Sequence, residues 1–456
     1  MRSRASEASG LFSRPQVPAE LLIAGGHVLD PREEIDEPCD ILIREGHIAE
    51  LGPPGSLPDP PDGGERLDAT GKHVFPGFVD PHVHLRTPGQ EYKEDIESGT
   101  AAAAAGGFCA VIAMPNTVPV VDDAAVLRSL TDTARSAARV PVGFLASITR
   151  RLEGAELTEM AELRDAGALG FTDDGKPVVS AGMLRKALQY QRLAGGVVAL
   201  HEEDPALSGE GVMHEGAVSA RLGLAGIPSV SESTMVARDG ALAVYEDGRV
   251  HLQHVSCMES LTAIERLKAA GASVSAEVCP HHLTLTDDVV RTLDSRFKMN
   301  PPLGSERDRS ALVDGLRRGL IDCVATDHAP HARHEKEVPF EQAPMGTTGL
   351  ETAFAALFTE LVMPGEIELA TVIERMSAGA ALFDLPTPRI ARGEPANICL
   401  VDLSAKWEVG ARGYASRSDN CCFHGRTLHG RVVLTLAGGA TAFRAPLLAE
   451  VGALAR

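Results

Sequence analysis

Eight short apolar runs between residues 74 and 330 each end in polar residues, and this repetition constrains the fold more than any other feature. Most runs are followed by a stretch with helical periodicity. The runs contain Val, Ile, Leu and Ala without polar alternation, as expected of parallel strands that are buried on both faces. Their sequences are "HVFPGFVDPHVH", "FCAVIAMPNT", "VPVGFLASITR", "ALGFTDDG", "GVVALHEED", "VHLQHVS", "SVSAEVCPHH" and "CVATDHAPH".

Eight strand–helix units predict an α/β fold of the (β/α)8 TIM-barrel type. The stretch "SAGMLRKALQYQRLAGG" is typical of the intervening helices, because Leu184 and Leu188 share one face and Gly-Gly ends the pattern. An open doubly wound sheet is the alternative. That fold requires a glycine-rich phosphate turn early in the chain, and "AAAAAGGF" does not supply one.

The two ends of the chain have a different texture. Residues 21–52 and 396–443 alternate short β-like runs with Gly, Asp and Asn turns. Neither end has enough strands for a sandwich, so we expect the two ends to pair into one small β domain. The predicted division is a disordered extension over 1–19, a composite β domain from 20–73 and 390–456, and a barrel over 74–389. A transit peptide is the alternative for the extension, although Glu7 argues against it.

Composition excludes several classes of partner. The chain has 63 acidic and 43 basic residues, a net charge of −20, and no basic run dense enough to follow a nucleic-acid backbone. No apolar stretch approaches the roughly 18 residues that span a bilayer. The eight cysteines are scattered without a C-x-x-C pair, which indicates reduced and mostly buried thiols. We therefore predict a cytoplasmic protein that binds neither nucleic acid nor membrane.

Residues with metal-ligand chemistry stand at the ends of several runs. His82 and His84 project to the same side of an extended strand. One buried histidine alone is commonly a core residue, but the pattern recurs along the chain. In a barrel, the strand ends converge on the face where active sites lie. The later members are Asp173 and Asp174, His201, His254, His281 and His282, and Asp327 and His328.

The residue types indicate the chemistry. Imidazole and carboxylate ligands without a thiolate suit zinc or a similar divalent ion. Water in an open coordination position of such an ion loses its proton near neutral pH and becomes a nucleophile. The pattern therefore predicts metal-assisted hydrolysis.

A series of motifs resembles the zinc amidohydrolase superfamily and, within it, the class I bacterial dihydroorotases. The resemblance runs from about residue 20 to 443. It implies a metal pair in the barrel, with one or two zinc ions per subunit and two favoured. It also implies reversible hydrolysis of (S)-dihydroorotate to N-carbamoyl-L-aspartate in pyrimidine synthesis, and a homo-oligomer. The motifs are, in order, "PGFVDPHVHLRTPGQEYKED", "AMPNTVP", "FTDDG", "HEED", "LQHVS", "PHHL", "MNPPL" and "TDHAPH…EK…APMG".

The resemblance also implies a set of metal ligands. Many relatives bridge the two metals with a carboxylated lysine on the fourth strand, whereas "FTDDGK" matches the subgroup that uses aspartate. Spacing favours Asp174 over Asp173, and Lys176 lies past the turn, so we do not expect a carbamate there. An ordinary Asx turn is the structural alternative for this stretch. The implied ligands are His82, His84 and Asp327 for the more buried metal, His201 and His254 for the second, and Asp174 between them.

Substrate contacts and proton transfer are implied in the same way. Arg86 is suited to the substrate carboxylate because a guanidinium matches a carboxylate bidentately. Asn116 and His331 resemble further carboxylate partners, and Asn300 resembles a partner of the pyrimidine ring. For the two asparagines, turn chemistry next to proline is the structural alternative. Asp327 is expected to act as general base and acid as well as ligand.

Two alternatives to this function stay open. Another cyclic amidohydrolase would act on hydantoin, dihydropyrimidine or allantoin, whose rings lack the carboxylate that the predicted clamp would meet. A non-catalytic scaffold for aspartate transcarbamoylase would be expected to have lost metal ligands, which this chain retains. An active enzyme could also associate with that partner. The polar stretch 332–343 is a candidate lid, and His281 and His282 are expected to support neighbouring ligands or to be structural.

Overall fold

The computed structural model describes residues 10–60 and 63–446, which form two large sheets. Eight of the strands make a parallel barrel, and eight others make a mixed sheet beside it. The strands are β1 (Leu21–Asp30), β2 (Ile35–Arg44), β3 (His47–Gly52), β4 (Glu65–Asp68), β5 (His73–Pro76), β6 (Phe78–Val83), β7 (Phe108–Ala113), β8 (Val142–Ala146), β9 (Gly170–Thr172), β10 (Val197–Leu200), β11 (Met213–His214), β12 (Gly226–Ile227), β13 (Val250–Leu252), β14 (Val274–Val278), β15 (Cys323–Val324), β16 (Ile398–Glu408), β17 (Thr427–Ala437) and β18 (Ala440–Arg444).

Helices follow most of the barrel strands. The sequence expectation for residues 181–194 is confirmed, since this segment is a helix on which Leu184 and Leu188 are buried, and Gly195 ends it with φ of 71°. The α-helices are α1 (Ile96–Ala105), α2 (Ala124–Ala137), α3 (Met160–Asp165), α4 (Ala181–Ala194), α5 (Pro205–Ser208), α6 (Ala217–Leu222), α7 (Val230–Glu246), α8 (Met258–Ala269), α9 (Pro280–Thr284), α10 (Glu306–Arg317), α11 (Arg333–Lys336), α12 (Ala353–Leu357) and α13 (Leu369–Ser377).

The barrel follows the predicted (β/α)8 plan. Its strands pair in parallel in the order β6, β7, β8, β9, β10, β13, β14 and β15. A parallel bridge between Val83 and His328 joins the last strand to the first, and the His84 amide donates to the His328 carbonyl at 2.9 Å. The Asp80 carboxylate reinforces this closure by accepting from the amide of Thr326 at 3.1 Å.

The mixed sheet combines both ends of the described chain. Its order is β18, β17, β16, β5, β1, β2 and β3, with β4 also paired to β1. Strand β5 lies in the middle, parallel to β1 and antiparallel to β16. The sheet encloses a core of its own, which includes Ile23, Ile41, Val74 and Leu434. The proposed division at residues 73/74 and 389/390 stays a prediction.

The structure differs from the sequence expectation in the first apolar run. "HVFPGFVDPHVH" was expected to be one barrel strand, but the chain divides it at Gly77 into β5 of the mixed sheet and β6 of the barrel. Gly77 donates its amide to the Asn397 carbonyl at 2.9 Å. A Cβ atom at this position would lie 2.7 Å from the Cβ of Cys109, so the close approach of the two sheets requires glycine.

The N-terminal extension also departs from its expected disorder where it is described. Residues 1–9 lie outside the described residues, but residues 10–19 follow the barrel surface. Phe12 forms a bridge with Val142 and is buried, packing against Phe144, while Pro18 bridges to Ala440. One apolar side chain thus anchors a segment that sequence composition alone presented as a tail.

Two expectations from composition can be compared with the structure. All eight cysteines fall within the described ranges, and they are buried free thiols, as predicted. In residues 10–60 and 63–446, no helix combines the length and apolarity that a membrane crossing requires.

Candidate active site

Six polar side chains converge at the carboxyl ends of the barrel strands, on the face where catalytic groups lie in this fold. All six are buried. Each follows or ends a strand, so the regular barrel sets their positions. They are His82 and His84 at the end of β6, Asp174 after β9, His201 after β10, His254 after β13 and Asp327 after β15.

The carboxylate of Asp174 lies among the four histidines. Its Oδ1 atom is 3.4 Å from His82 Nε2 and 3.5 Å from His254 Nε2. Oδ1 is also 3.7 Å from His201 Nδ1, and Oδ2 is 3.5 Å from His84 Nε2. Burial by itself raises the pKa of Asp174, but the facing imidazoles, His82 first, hold it well below its usual range. The group is therefore an ionised carboxylate that contacts both histidine pairs.

Asp327 approaches the first pair from the neighbouring strand β15, which closes the barrel against β6. Its Oδ1 atom is 2.9 Å from Nε2 of His84 and 3.5 Å from Nε2 of His82. Asp327 has a left-handed φ of 46°, and two other residues of the same face, His254 and Arg86, have φ of 35° and 55°. Non-glycine residues rarely adopt this region, and such strain concentrates at functional sites.

The outward nitrogens of the first pair are held by the buried Glu277 and the half-buried Asn116. His82 Nδ1 is 2.7 Å from Glu277 Oε1, and His84 Nδ1 is 2.9 Å from Asn116 Oδ1. The second Glu277 oxygen is 3.0 Å from His251 Nε2. Burial raises the pKa of Glu277, but His82 and His251 lower it to about 2 overall. Because Nδ1 is engaged, the Nε2 lone pairs of His82 and His84 are directed to the centre.

The second pair is oriented differently. His201 presents Nδ1 inward, 2.9 Å from Nε2 of His254, and its Nε2 is 3.1 Å from Glu203 Oε2. Asn300 Nδ2 donates to the same Glu203 oxygen at 2.7 Å. Glu203 therefore connects a candidate metal ligand to a candidate substrate contact.

These donor atoms fit a divalent ion. Donors at about 2.1 Å from one tetrahedral ion lie roughly 3.4 Å from each other, close to the separations around Asp174. The Nε2 atom of His82 is buried and has no hydrogen-bond partner among the described residues. Two groups of residues each place their ligand atoms within 4.8 Å of one another. One group is His82, Asp174 and His254, and the other is His82, His84 and Asp327. An orphaned nitrogen in a set of imidazoles and carboxylates is the arrangement that a zinc-type ion would satisfy.

The two adjacent aspartates have separate environments. Asp173 accepts from the amides of Ile148 at 2.8 Å and Thr149 at 3.0 Å, and from the Thr149 hydroxyl, so it caps the neighbouring loop. Asp174 faces the histidines. Lys176 is exposed beyond the turn. The geometry thus favours Asp174 as the bridging group, and ligation by it stays a prediction.

The three residues of the predicted carboxylate clamp are hydrogen bonded to other protein groups. Arg86 donates from Nε to the Pro330 carbonyl at 3.1 Å, which fixes the guanidinium beside the centre. His331 Nε2 is 2.8 Å from the Met345 carbonyl, and burial lowers the pKa of His331 to about 2. Asn116 contacts His84 and, through Nδ2, Asp174 at 3.3 Å, so its side chain lies between two candidate ligands.

A residue from the C-terminal part of the chain holds the loop that carries His331. Asn420 is buried between β16 and β17, and its Oδ1 atom accepts from the His331 amide at 3.0 Å. Its Nδ2 atom donates to the carbonyls of Ala329 and Gly346, each at 3.1 Å. The segment between two strands of the mixed sheet therefore helps to shape the barrel site.

The polar stretch 332–343, predicted as a lid, includes α11. Lys336 is buried there, and its Nζ atom donates to the carbonyls of Pro344 at 2.8 Å and Lys298 at 3.3 Å. Glu335 forms a 3.0 Å ion pair with Lys93. These contacts tie the stretch to its surroundings, and a lid function stays a prediction.

Sequence comparisons match the chain to characterised relatives. A family model described as Dihydro-orotase-like matches residues 71–260. A curated dihydroorotase from Anaeromyxobacter sp. (strain K) is 44% identical over 422 residues, covering 92% of this chain and 96% of the relative. A dihydroorotase from Pelotomaculum thermopropionicum is 45% identical over 421 residues, covering 92% of this chain and 97% of the relative.

The chain belongs to the dihydroorotase family.

Solved structures agree with this assignment at the level of fold. L-Hydantoinase (dihydropyrimidinase) from Arthrobacter aurescens has a TM-score of 0.82 and 25% identity, covering 93% of this chain and 96% of that structure. Dihydropyrimidinase from Brevibacillus agri has a TM-score of 0.80 and 24% identity, covering 93% and 95%. Together with the dihydroorotase relatives, these matches identify the chain as an enzyme of the cyclic amidohydrolase class, a metal-dependent class.

Several residues that organise the site in this dihydroorotase family member were missed in the sequence. These residues are Glu277, Glu203 and Asn420, and each contacts another site residue. A signal was available for Glu203 in "HEED", where an acid follows His201 by two positions. None was available for Asn420, because the chain brings it to the barrel from a distant segment.

Proposed function

We propose that this chain catalyses the reversible hydrolysis of (S)-dihydroorotate to N-carbamoyl-L-aspartate in de novo pyrimidine synthesis. The observation that carries the proposal is the position of Arg86 beside two ionised aspartates and four histidines. Burial lowers the pKa of Arg86, and the charges of Asp327 and Asp174 raise it, so a cation adjoins the hydrolytic centre. A substrate with a carboxylate next to a cyclic amide matches that pairing.

We infer that the ion is zinc and that this centre binds two ions per subunit. His82, His84 and Asp327 would hold one, His201 and His254 the other, and Asp174 would bridge them. When bound, such ions supply Lewis acidity that polarises the ring amide and activates water. The orphaned Nε2 of His82 supports this assignment.

The chain's own residues then divide the remaining work. The guanidinium of Arg86 orients the substrate carboxylate, aided by His331 and Asn116. Asn300, held by Glu203, is placed to contact the ring. Asp327 takes the proton of the attacking water and returns it to the leaving ring nitrogen, so one carboxylate acts as base and then as acid.

A second function is favoured by the structural neighbours, which include hydantoinases and dihydropyrimidinases. The predicted clamp argues against it, since the rings of hydantoin, dihydropyrimidine and allantoin carry no carboxylate for Arg86 to meet. A non-catalytic scaffold for aspartate transcarbamoylase is disfavoured because all six candidate ligands are retained and buried together. Homo-oligomer formation, association with aspartate transcarbamoylase and a cytoplasmic location are further proposals.

Turnover of dihydroorotate, hydantoin and allantoin by one zinc-loaded sample tests the function. We expect hydrolysis of dihydroorotate, with much weaker turnover of the two uncharged rings, and loss of activity after chelation. Preference for hydantoin or allantoin would assign the chain to another cyclic amidohydrolase. Absence of turnover in verified zinc-loaded protein would support the scaffold alternative, and full activity of verified metal-free protein would refute the mechanism.

A further inference from the structure

A second cluster of metal-ligand side chains lies at the end of β14. Cys279 follows the strand, and His281 and His282 lie in the first turn of α9. Each offers one ligand atom, and these three atoms lie within 4.8 Å of one another. The residues are 0%, 2% and 2% exposed, so water cannot solvate them freely. None of them belongs to the histidine–aspartate centre described above.

The hydrogen bonds of His282 leave one ring nitrogen without a partner in the described chain. Its Nε2 atom donates to the Pro301 carbonyl at 3.0 Å, which places the ring proton on Nε2. The Nδ1 atom then carries a lone pair and has no partner among the described residues. A histidine that binds a metal commonly donates its other ring N–H to a backbone carbonyl in this way.

His281 has the same feature as His282, a buried ring nitrogen without a partner in the part of the chain that the structure describes. Its Nε2 atom is also buried and without a hydrogen-bond partner in residues 10–60 and 63–446. Buried polar atoms without partners are uncommon because desolvation is not compensated. Burial first, and then His282, lowers the pKa of His281, so the ring is neutral and able to act as a ligand. Two orphaned nitrogens beside one thiol require a common explanation.

We propose that Cys279, His281 and His282 form a zinc-type metal site separate from the histidine–aspartate centre. One thiolate and two neutral imidazoles are a donor set that zinc accepts in tetrahedral coordination, with a fourth position for water. Binding would transfer the thiol proton to solvent, because the thiolate is the ligand form.

Another buried group with a thiol provides a contrast. His251, Glu277 and Cys323 also place ligand atoms within 4.8 Å of one another. However, both His251 nitrogens are already hydrogen bonded, Nδ1 to Ser275 at 2.9 Å and Nε2 to Glu277 at 3.0 Å. Its histidine therefore has no ring nitrogen without a hydrogen-bond partner. For this reason we place the proposed metal site at Cys279, His281 and His282.

Cobalt substitution tests the site directly, since a thiolate ligand gives a near-ultraviolet sulfur-to-cobalt charge-transfer band. The proposed catalytic ligands contain no thiolate, so their cobalt complex gives only visible bands. We expect the wild-type protein loaded with Co²⁺ to show both signals. Cys279→Ala should lose the charge-transfer band and bind one ion fewer per chain. His282→Gln should weaken the band, and the matched control Cys323→Ser should retain it.

The outcomes separate this site from the catalytic centre. Visible bands without a charge-transfer band in the wild type would overturn the thiolate site while leaving the proposed function intact. A band that survives in Cys279→Ala, or one that disappears in Cys323→Ser, would assign the thiolate elsewhere. If Cys279→Ala does not fold, the wild-type spectrum together with His282→Gln still decides. Absence of both signals at saturating cobalt would contradict both proposals.

Discussion

The two histidine pairs of the candidate centre are supported in different ways. His82 and His84 rest on Glu277 and Asn116, and the Glu277 side chain is 1% exposed in the barrel interior. His201 rests on Glu203, whose side chain is 19% exposed and also contacts Asn300. His82 is therefore oriented by the core of the barrel, whereas Asn116, which supports His84, is also a proposed substrate contact. His201 is oriented by Glu203, which also contacts the proposed substrate partner Asn300.

This difference indicates a division of roles. A change in Glu277 should act mainly on metal binding, because it contacts the imidazoles of His82 and His251 and the backbone amide of His254 within the barrel. A change in Glu203 should act on both metal binding and substrate binding. Asp174 contacts both pairs and Asp327 contacts only the first. Substitutions at these residues should therefore affect metal binding and substrate binding to different degrees.

The largest effect is expected for Asp327→Asn. The amide keeps an oxygen for the metal but cannot accept the proton, so kcat should fall by at least about 100-fold, as is typical for a missing general base. Metal content, measured on the same sample, should stay appreciable. In contrast, Asp327→Ala should lose both metal and catalytic activity. Near wild-type turnover by metal-loaded Asp327→Asn would leave the residue a ligand only.

The direction of reaction provides a control for the same variant. Hydrolysis releases a proton and ring closure consumes one, so higher pH should favour ring opening and lower pH should favour closure. Wild-type rates in the two directions should move oppositely with pH, and Asp327→Asn should be impaired in both. A variant impaired in one direction alone would contradict a shared proton path.

Arg86→Ala should have the next largest effect, a loss of about 100-fold in kcat/KM for dihydroorotate, since misplaced substrate costs about that much. The side chain supports neither histidine pair, so metal content should be unchanged. Turnover of hydantoin, which has no carboxylate, is the matched control and should change little. Loss of metal from this variant would show that Arg86 stabilises the site itself.

Glu277→Gln and Glu203→Gln compare the two supports directly. Each should weaken metal binding by about 10- to 100-fold, the usual cost of losing the partner of a ligating histidine. Competition with a chelator measures this loss of metal affinity. Only Glu203→Gln should also raise KM in fully loaded enzyme, because Asn300 loses its partner. Equal KM values for the two variants would remove the proposed difference between the pairs.

The smallest effect is expected for Lys176→Ala. The side chain is exposed and outside the cluster, so metal content and turnover should stay within about twofold of wild type, as for surface substitutions in general. Activity should not depend on added bicarbonate. A bicarbonate requirement would instead indicate a carbamate, and Asp174→Ala should provide the contrast by weakening the second metal position.

Much of the barrel could be predicted from the sequence because its strands are continuous apolar runs that end in polar residues. Since parallel strands bring their carboxyl ends to one face, His82, Asp174 and Asp327 could be expected together before any coordinates existed. The structure brings all six predicted ligands to that face. The parallel pairing in sequence order confirms the fold class.

The remainder depends on contacts that no local pattern encodes. Asn420 reaches the His331 loop from between two strands of the mixed sheet, across 89 positions of sequence. The division of the first apolar run at Gly77 depends on how closely two sheets approach each other. Phe12 could not be distinguished from a tail residue because its partners lie far along the chain. Tertiary packing, rather than propensity, decides each of these positions.

In the proposed metal centre, Asp174 joins the two histidine pairs. Anomalous diffraction from zinc-loaded crystals, recorded on both sides of the zinc edge, tests it most directly. At this centre we expect two peaks, one bounded by His82, His84 and Asp327 and one by His201 and His254, with the Asp174 carboxylate between them. Peaks among the four histidines that Asp174 does not contact, or a carbamate on Lys176 in its place, would show that Asp174 does not join the two pairs.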